Sequence, residues 1–193
     1  MTSEQPSPVR ELELPGVYVV DRPLHADARG WFRKPYQRSV FAALGLPADY
    51  DESFFTQSGR GILRGLHLQT GASAQWKLVV CLVGTVWDCV LDLRAASETY
   101  GKHCAVELSG RAEPAILVPP GCAHGFLVQS ESAVVGYWVT SEHDPLHDTG
   151  VRWDSAGIAW PLQGQPTISD RDAALPAFQE FPALPDPVQR ARR

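Results

Sequence analysis

The sequence predicts an all-β protein, a jelly roll or barrel-like sandwich with a few short helices. Short apolar stretches with strand-like alternation recur along the chain. Glycine and proline, 16 of each in 193 residues, punctuate them as turn formers. Only one stretch reads clearly as a helix. The length suits a single domain spanning 1–193, and 44% hydrophobic residues suffice for a real core.

The elements follow in order. Residues 1–10, rich in Pro, Ser and Gln, predict a loose arm. A strand is expected over 16–21. The helix is expected over 39–46, ended by Gly45 and Pro47. Residues 77–83, the pair Gly84-Thr85, and 86–93 read as a hairpin. In its second arm Trp87, Cys89, Leu91 and Leu93 share one face; Val86, Asp88, Val90 and Asp92 share the other. Two carboxylates among valines fit either a polar cavity inside a sandwich or a solvated sheet face. Further strands are expected over 103–108, 115–118, 125–129 and 133–140. Ser169 opens a short helix or turn with Asp170, Arg171 and Asp172. Residues 185–193 predict a loose tail whose Arg190, Arg192 and Arg193 are solvated end charges.

Charge and cysteine usage narrow the function. A formal charge of −5 disfavours nonspecific binding to nucleic acid or to an anionic membrane, although a local basic pocket can still take a small anion. Cys81, Cys89, Cys104 and Cys122 form no Cys-x-x-Cys pair. The opening ten residues have no apolar core of a secretory leader, and the run 78–83 is too short to span a bilayer. A reduced, cytoplasmic setting is the expectation.

Two histidines stand out. His67 follows Arg64 by three residues in Arg64-Gly65-Leu66-His67. On a regular strand these two would point to opposite faces, so one pocket for both needs a bend, which Gly65 can supply. His124 closes Pro119-Pro120-Gly121-Cys122-Ala123-His124. That wording is similar to the second metal motif of cupins, but His67-Leu68-Gln69 lacks the second histidine of the first. Two imidazoles without a third firm ligand make a poor zinc or iron site. A turn-positioning hydrogen bond is the plainer role for His124. Lys77 is either an edge lysine or a buried cation facing Asp88 or Asp92. Tyr137 alone reads as a core tyrosine, and Asp172 alone as part of a cap begun by Ser169.

Taken together and in order, these segments resemble the dTDP-4-dehydrorhamnose 3,5-epimerase family. The likeness runs from about residue 16 to 178. It covers Asp27-x-Arg29-Gly30-x-Phe32, the run from Gly61 to His67, Gln75-x-Lys77-Leu78, Gly84-x-Val86-x-Asp88-x-x-x-Asp92-Leu93-Arg94, the run from Pro119 to Val128, Trp160-Pro161, and Ser169-x-Arg171-Asp172. The resemblance implies a metal-free, cupin-type jelly-roll sandwich with no cofactor that acts on a nucleotide-sugar substrate, and a homodimer in which the segment around Arg29 crosses to the partner's pocket. It also implies roles. His67 falls on the general base and Asp172 on the carboxylate that orients it. Tyr137 falls on the proton donor at the opposite face of the sugar, and Lys77 on the lysine beside the 4-keto oxygen. Arg29, Arg64 and His124 fall on substrate contacts, Arg171 replaces a lysine, and Asp148 stands where glutamate is common.

That chemistry needs these residue types. Hydrogen on carbon next to a ketone is very weakly acidic, and each pKa unit of mismatch costs about 1.4 kcal/mol. Neutral imidazole can abstract it only if the enolate oxygen is stabilised. The chain departs from the family pattern at Lys34, usually Glu, and at Glu52, Phe54 and Thr56, usually Gln, Asn and Ser, while Ser58 keeps the Ser that closes that pattern. His143 stands where an aromatic is usual. These positions concern recognition more than proton transfer, so the nucleotide base and the choice of C3, C5 or both stay open. A single-carbon epimerase, a metal-dependent cupin enzyme and a non-catalytic sugar-binding cupin are the alternatives.

Overall fold

The computed structural model describes residues 8–111 and 114–185. Thirteen strands are present among them: β1 (Val9–Glu11), β2 (Tyr18–Asp21), β3 (His25–Asp27), β4 (Gly30–Phe32), β5 (Glu52–Gly59), β6 (Leu63–Gln69), β7 (Lys77–Val83), β8 (Thr85–Asp92), β9 (His103–Ser109), β10 (Pro114–Val118), β11 (Cys122–Val128), β12 (Ser132–Val139) and β13 (Asp148–Gly150). Two short helices, α1 (Arg38–Ala43) and α2 (Asp170–Ala173), complete the frame. The strands form a six-stranded sheet in the order β1-β2-β10-β7-β12-β5 and a five-stranded sheet in the order β13-β6-β11-β8-β9. Every strand pairing is antiparallel, and β3 and β4 form a separate hairpin. The all-β sandwich expected from the sequence is the fold observed.

Alternation along each strand sorts side chains into three apolar layers. Val79, Cys81, Val86, Val90, Leu108, Ile116, Val118, Phe126 and Val135 meet between the sheets. Phe41 of α1, with Leu46, covers Leu78, Val80, Ala115 and Leu117 on the outer face of the six-stranded sheet. The C-terminal segment lays Trp160 and Phe181 over Cys89, Leu91 and Leu93 on the outer face of the other. Both sheets are therefore covered on both faces, and the carboxylate face of β8 turns inward. Asp88 and Asp92 are fully buried.

Three local expectations change. Residues 77–93 do not form a hairpin, because β7 and β8 belong to different sheets. Gly84, at φ +78°, turns the chain from one layer to the other, and a Cβ there would lie 2.0 Å from the Ser132 carbonyl oxygen. A Gly-Thr pair between alternating runs reads alike for a tight turn and for a corner; the partner strands decide. The arm is ordered from Pro8 onward, since Val9 pairs with Val20; residues 1–7 lie outside the described residues. The same holds for 186–193, with Arg190, Arg192 and Arg193, although just before them Leu184 donates its N–H to the Leu93 carbonyl at 2.8 Å. The helix is shorter than expected, giving way after Ala43 to a turn with Gly45 at φ +70°.

Candidate active site

The site begins with a register shift. His124 pairs with His67 and Phe126 pairs with Arg64, so Gly125 on β11 faces both Gly65 and Leu66 on β6. That extra residue is a bulge, and it restores Arg64 and His67 to one face. Gly65 makes it possible: its φ is +127°, and a Cβ would lie 2.5 Å from the Cα of Gly125. Arg64, His67 and Gln69 then line an inter-sheet cavity of about 350 Å³, within the range of about 300–1,000 Å³ typical of small-molecule sites.

His67 projects from the five-stranded sheet. Its Nε2 lies 2.7 Å from Oδ1 of Asp172, and its Nδ1 takes no hydrogen bond among the described residues. Asp172 also accepts the Gly65 N–H at 3.1 Å through Oδ2, while its own N–H donates to the Ser169 hydroxyl at 3.1 Å. Both readings of Asp172 therefore hold: its backbone completes the cap and its carboxylate orients the imidazole. Burial opposes charge on Asp172, but the hydrogen bonds from His67 and Gly65 outweigh it and hold the carboxyl below its ordinary range. Burial lowers the pKa of His67 despite the attraction of Asp172, with Arg171 and Lys77 adding to the drop. The imidazole is therefore neutral near pH 7.

Lys77 and Tyr137 come from the facing sheet. Lys77 pairs with Val139 and Val79 with Tyr137, so both side chains point inward with Val79. Lys77 does not face Asp88 or Asp92. Its Nζ donates to the His67 carbonyl at 3.1 Å, and the nearby carboxylate is Asp148. Burial lowers its pKa to about 8, Asp148 works against that, and Arg171 adds to it. Asp88 instead holds His124, Oδ2 to Nε2 at 2.8 Å. Asp92 binds the Arg94 guanidinium and the hydroxyls of Ser97 and Thr99. Asp88 pairs with a neighbour in its own sheet and Asp92 with the loop that follows β8, so neither faces a lysine across the cavity. Tyr137 is buried and stacks on Phe54, with ring centroids 4.6 Å apart. Burial, then the charge of Asp88, raises its hydroxyl well above the ordinary tyrosine value.

Recognition groups surround this centre. Arg64 donates to the Ser58 hydroxyl at 2.9 Å, and Arg171 pairs with Asp148 at 2.6 Å. The cavity also takes Glu52, Phe54, Thr56 and His143, four of the positions where the sequence departs from the family pattern. Glu52 accepts the His143 N–H at 2.7 Å. Sequence reasoning did not assign Ser58 to Arg64 or Asp88 to His124, because both partnerships depend on strand pairing. Arg29 lies in the turn of the β3–β4 hairpin, pairs with Asp27, and is not among the residues lining this chain's own cavity. Every residue of this three-residue strand pair is exposed, so the hairpin buries no apolar face of its own against the sandwich. Among the described residues, no three His, Cys, Asp or Glu side chains converge as a metal would require.

A sequence profile described as dTDP-4-dehydrorhamnose 3,5-epimerase matches residues 11–180. The dTDP-4-dehydrorhamnose 3,5-epimerase of Salmonella typhimurium is 35% identical over 170 residues, 86% of this chain and 93% of that protein. The crystal structure of a Legionella pneumophila dTDP-6-deoxy-D-glucose-3,5-epimerase, in complex with dTDP-4-keto-L-rhamnose, superposes with a TM-score of 0.87 at 31% identity, over 92% of this chain and 96% of that one. A 3'-monoepimerase from Streptomyces bikiniensis, in complex with dTDP-quinovose, superposes with a TM-score of 0.81 at 29% identity, over 87% and 86%.

Proposed function

The chain belongs to the dTDP-4-dehydrorhamnose 3,5-epimerase family, and from that premise we propose that it is an isomerase inverting C3 and C5 of a nucleotide-linked 4-keto-6-deoxy sugar. One observation carries the assignment of roles. An imidazole and a phenol enter the same cavity from opposite sheets, with a lysine between strand and cavity beside them. A sugar ring lying between the layers presents one face to each.

In this reading His67 takes a proton from the carbon next to the C4 ketone through Nδ1. Asp172 keeps the other proton on Nε2 and stabilises the imidazolium that forms. The electron pair moves onto the C4 oxygen beside the Lys77 ammonium, and one such donor is worth about 10²- to 10³-fold in rate. Tyr137 delivers its hydroxyl proton to the opposite face, which inverts the centre and restores the ketone. C3 and C5 both flank C4, so one relay can serve both. Arg64, His124, Asp148 and Arg171 hold the substrate. NMR of the enzyme in D₂O with dTDP-4-keto-6-deoxyglucose tests the reading: deuterium is expected at C3 and C5 of inverted product. No exchange at either carbon would refute it.

The likeness to a 3'-monoepimerase supports a second reading, inversion at one carbon. Deuterium at a single carbon would decide for it. A homodimer is also proposed. Trp31 and Phe32 on the β3–β4 hairpin are 54% and 57% exposed, and that hairpin carries Arg29 away from its own cavity. Such a hairpin suits insertion beside a second copy's site, bringing Arg29 to a substrate phosphate. The chain is read as one domain, supported by the core its two sheets share. A cytoplasmic setting is supported by four buried cysteines, all free.

The relay predicts a pH profile. The base must be neutral, so kcat/KM is expected to rise with pH through the lowered His67 pKa, below its ordinary 6.5. The ammonium must be charged, so activity is expected to fall as pH rises through about 8. Lys77→Arg should move only the alkaline limb. An alkaline limb that stays in place in that variant would assign it to another group.

A further inference from the structure

The epimerase reading gives no role to Phe54, which lies in the cavity against the acid itself. Phe54 and Tyr137 are direct cross-strand partners on β5 and β12. Their rings are nearly parallel, 14° apart in plane and 4.6 Å between centroids. The edge of His124 meets the same phenol at 6.1 Å and 76°. Phe54 lines the cavity and is 39% exposed, whereas Tyr137 is 6% exposed. The benzyl ring thus lies on the wetter side of the pair and screens the phenol. It has no polar atom to offer a ligand, although it stands where the family pattern places an amide.

We propose that Phe54 is a positioning residue for Tyr137, holding the phenol at the angle from which its proton reaches the face of the sugar opposite His67. A flat ring against another flat ring limits rotation and tilt in a way that an aliphatic group does not, and such a stack is worth about 0.5–1.5 kcal/mol beyond area burial. The same contact keeps water from the phenol, and burial is the largest cause of its raised pKa.

This role has a stereochemical signature. Once His67 has taken the proton, the enolate has two fates. With the phenol aligned, Tyr137 gives its proton to the opposite face, the enolate pair forms the new C–H bond, and inversion results. With the phenol misaligned, the His67 imidazolium, exchanged with solvent, returns a deuteron to the original face, and exchange occurs without inversion. Proton and electron pair balance on both routes.

The test is NMR in D₂O with dTDP-4-keto-6-deoxyglucose, scoring inverted product per deuterium incorporated. Phe54→Ala is expected to lower that ratio by about 10- to 100-fold, the scale of a small misplacement of a reacting group. Phe54→Tyr, which keeps the flat face, is expected to restore it, and Tyr137→Phe marks the floor. An unchanged ratio in Phe54→Ala overturns the proposal. Should that variant fail to fold, Phe54→Leu takes its place: it keeps the apolar bulk without the flat face, and an unchanged ratio there overturns the proposal equally. A wild-type enzyme that neither exchanges nor inverts would instead sink the epimerase reading, which separates the two failures.

Discussion

Replacing His67 by alanine is expected to slow deuterium incorporation at both C3 and C5 by about 10²- to 10⁴-fold, the usual worth of a positioned general base. The loss should appear in exchange as well as in product, since on this reading His67 is the group that removes the proton. Stability should fall modestly. The side chain is partly exposed, at 23%, and Asp172 keeps the Gly65 N–H and its place in the α2 cap. Leaving that carboxylate one partner short costs about 1–3 kcal/mol. Thermal unfolding and exchange measured on the same preparation separate the two effects. Exchange at the wild-type rate in a folded His67→Ala protein would remove this residue from the mechanism.

Gly65→Ala is expected to do the reverse, damaging the fold first and the chemistry through it. The new methyl would lie 2.5 Å from the Cα of Gly125 and 2.9 Å from the His124 carbonyl oxygen, with φ at +127°. Those neighbours are backbone and have no rotamer to escape into. Backbone strain costs about 1–3 kcal/mol, and overpacking about as much again. The total of about 2–6 kcal/mol is a large share of the 5–15 kcal/mol that holds a typical domain. Relief would require the bulge to open, which would turn Arg64 and His67 to opposite faces. Urea unfolding should show a clearly lower midpoint, and activity should be lost even in the folded fraction. Gly61→Ala is the control: its φ is +77° but no atom lies within 4 Å of the added carbon, so only the strain of about 1–3 kcal/mol remains. Equal midpoints for the two variants would show that close packing at the bulge matters little.

The bulge also marks how far local reading reaches. From Arg64-Gly65-Leu66-His67 alone, a bend is required if both side chains serve one pocket, and Gly65 is the residue to make it. That it takes the form of one extra residue opposite Gly125 depends on β11, more than fifty residues away. The same limit appears at Gly84. Alternation in 77–93 locates the strands and their faces, yet says nothing about which strands lie beside them. Lys77 was open to pairing with Asp88 or Asp92 for that reason, until strand order gave Asp88 to His124.

Residue type and spacing by themselves determined the all-β class, most strand positions and which side chains of a strand share a face. These follow from side-chain period and turn chemistry, which act over a few residues; the acid, base and ammonium candidates came with the likeness of the ordered motifs to the family. Only the tertiary structure decided that base and acid stand on opposing sheets, that Asp172 reaches His67 across 105 positions, that Phe54 covers the phenol, and that Arg29 lies away from its own cavity. Pairing between distant strands is chosen by the burial of whole layers at once, and no short stretch of chain carries that information.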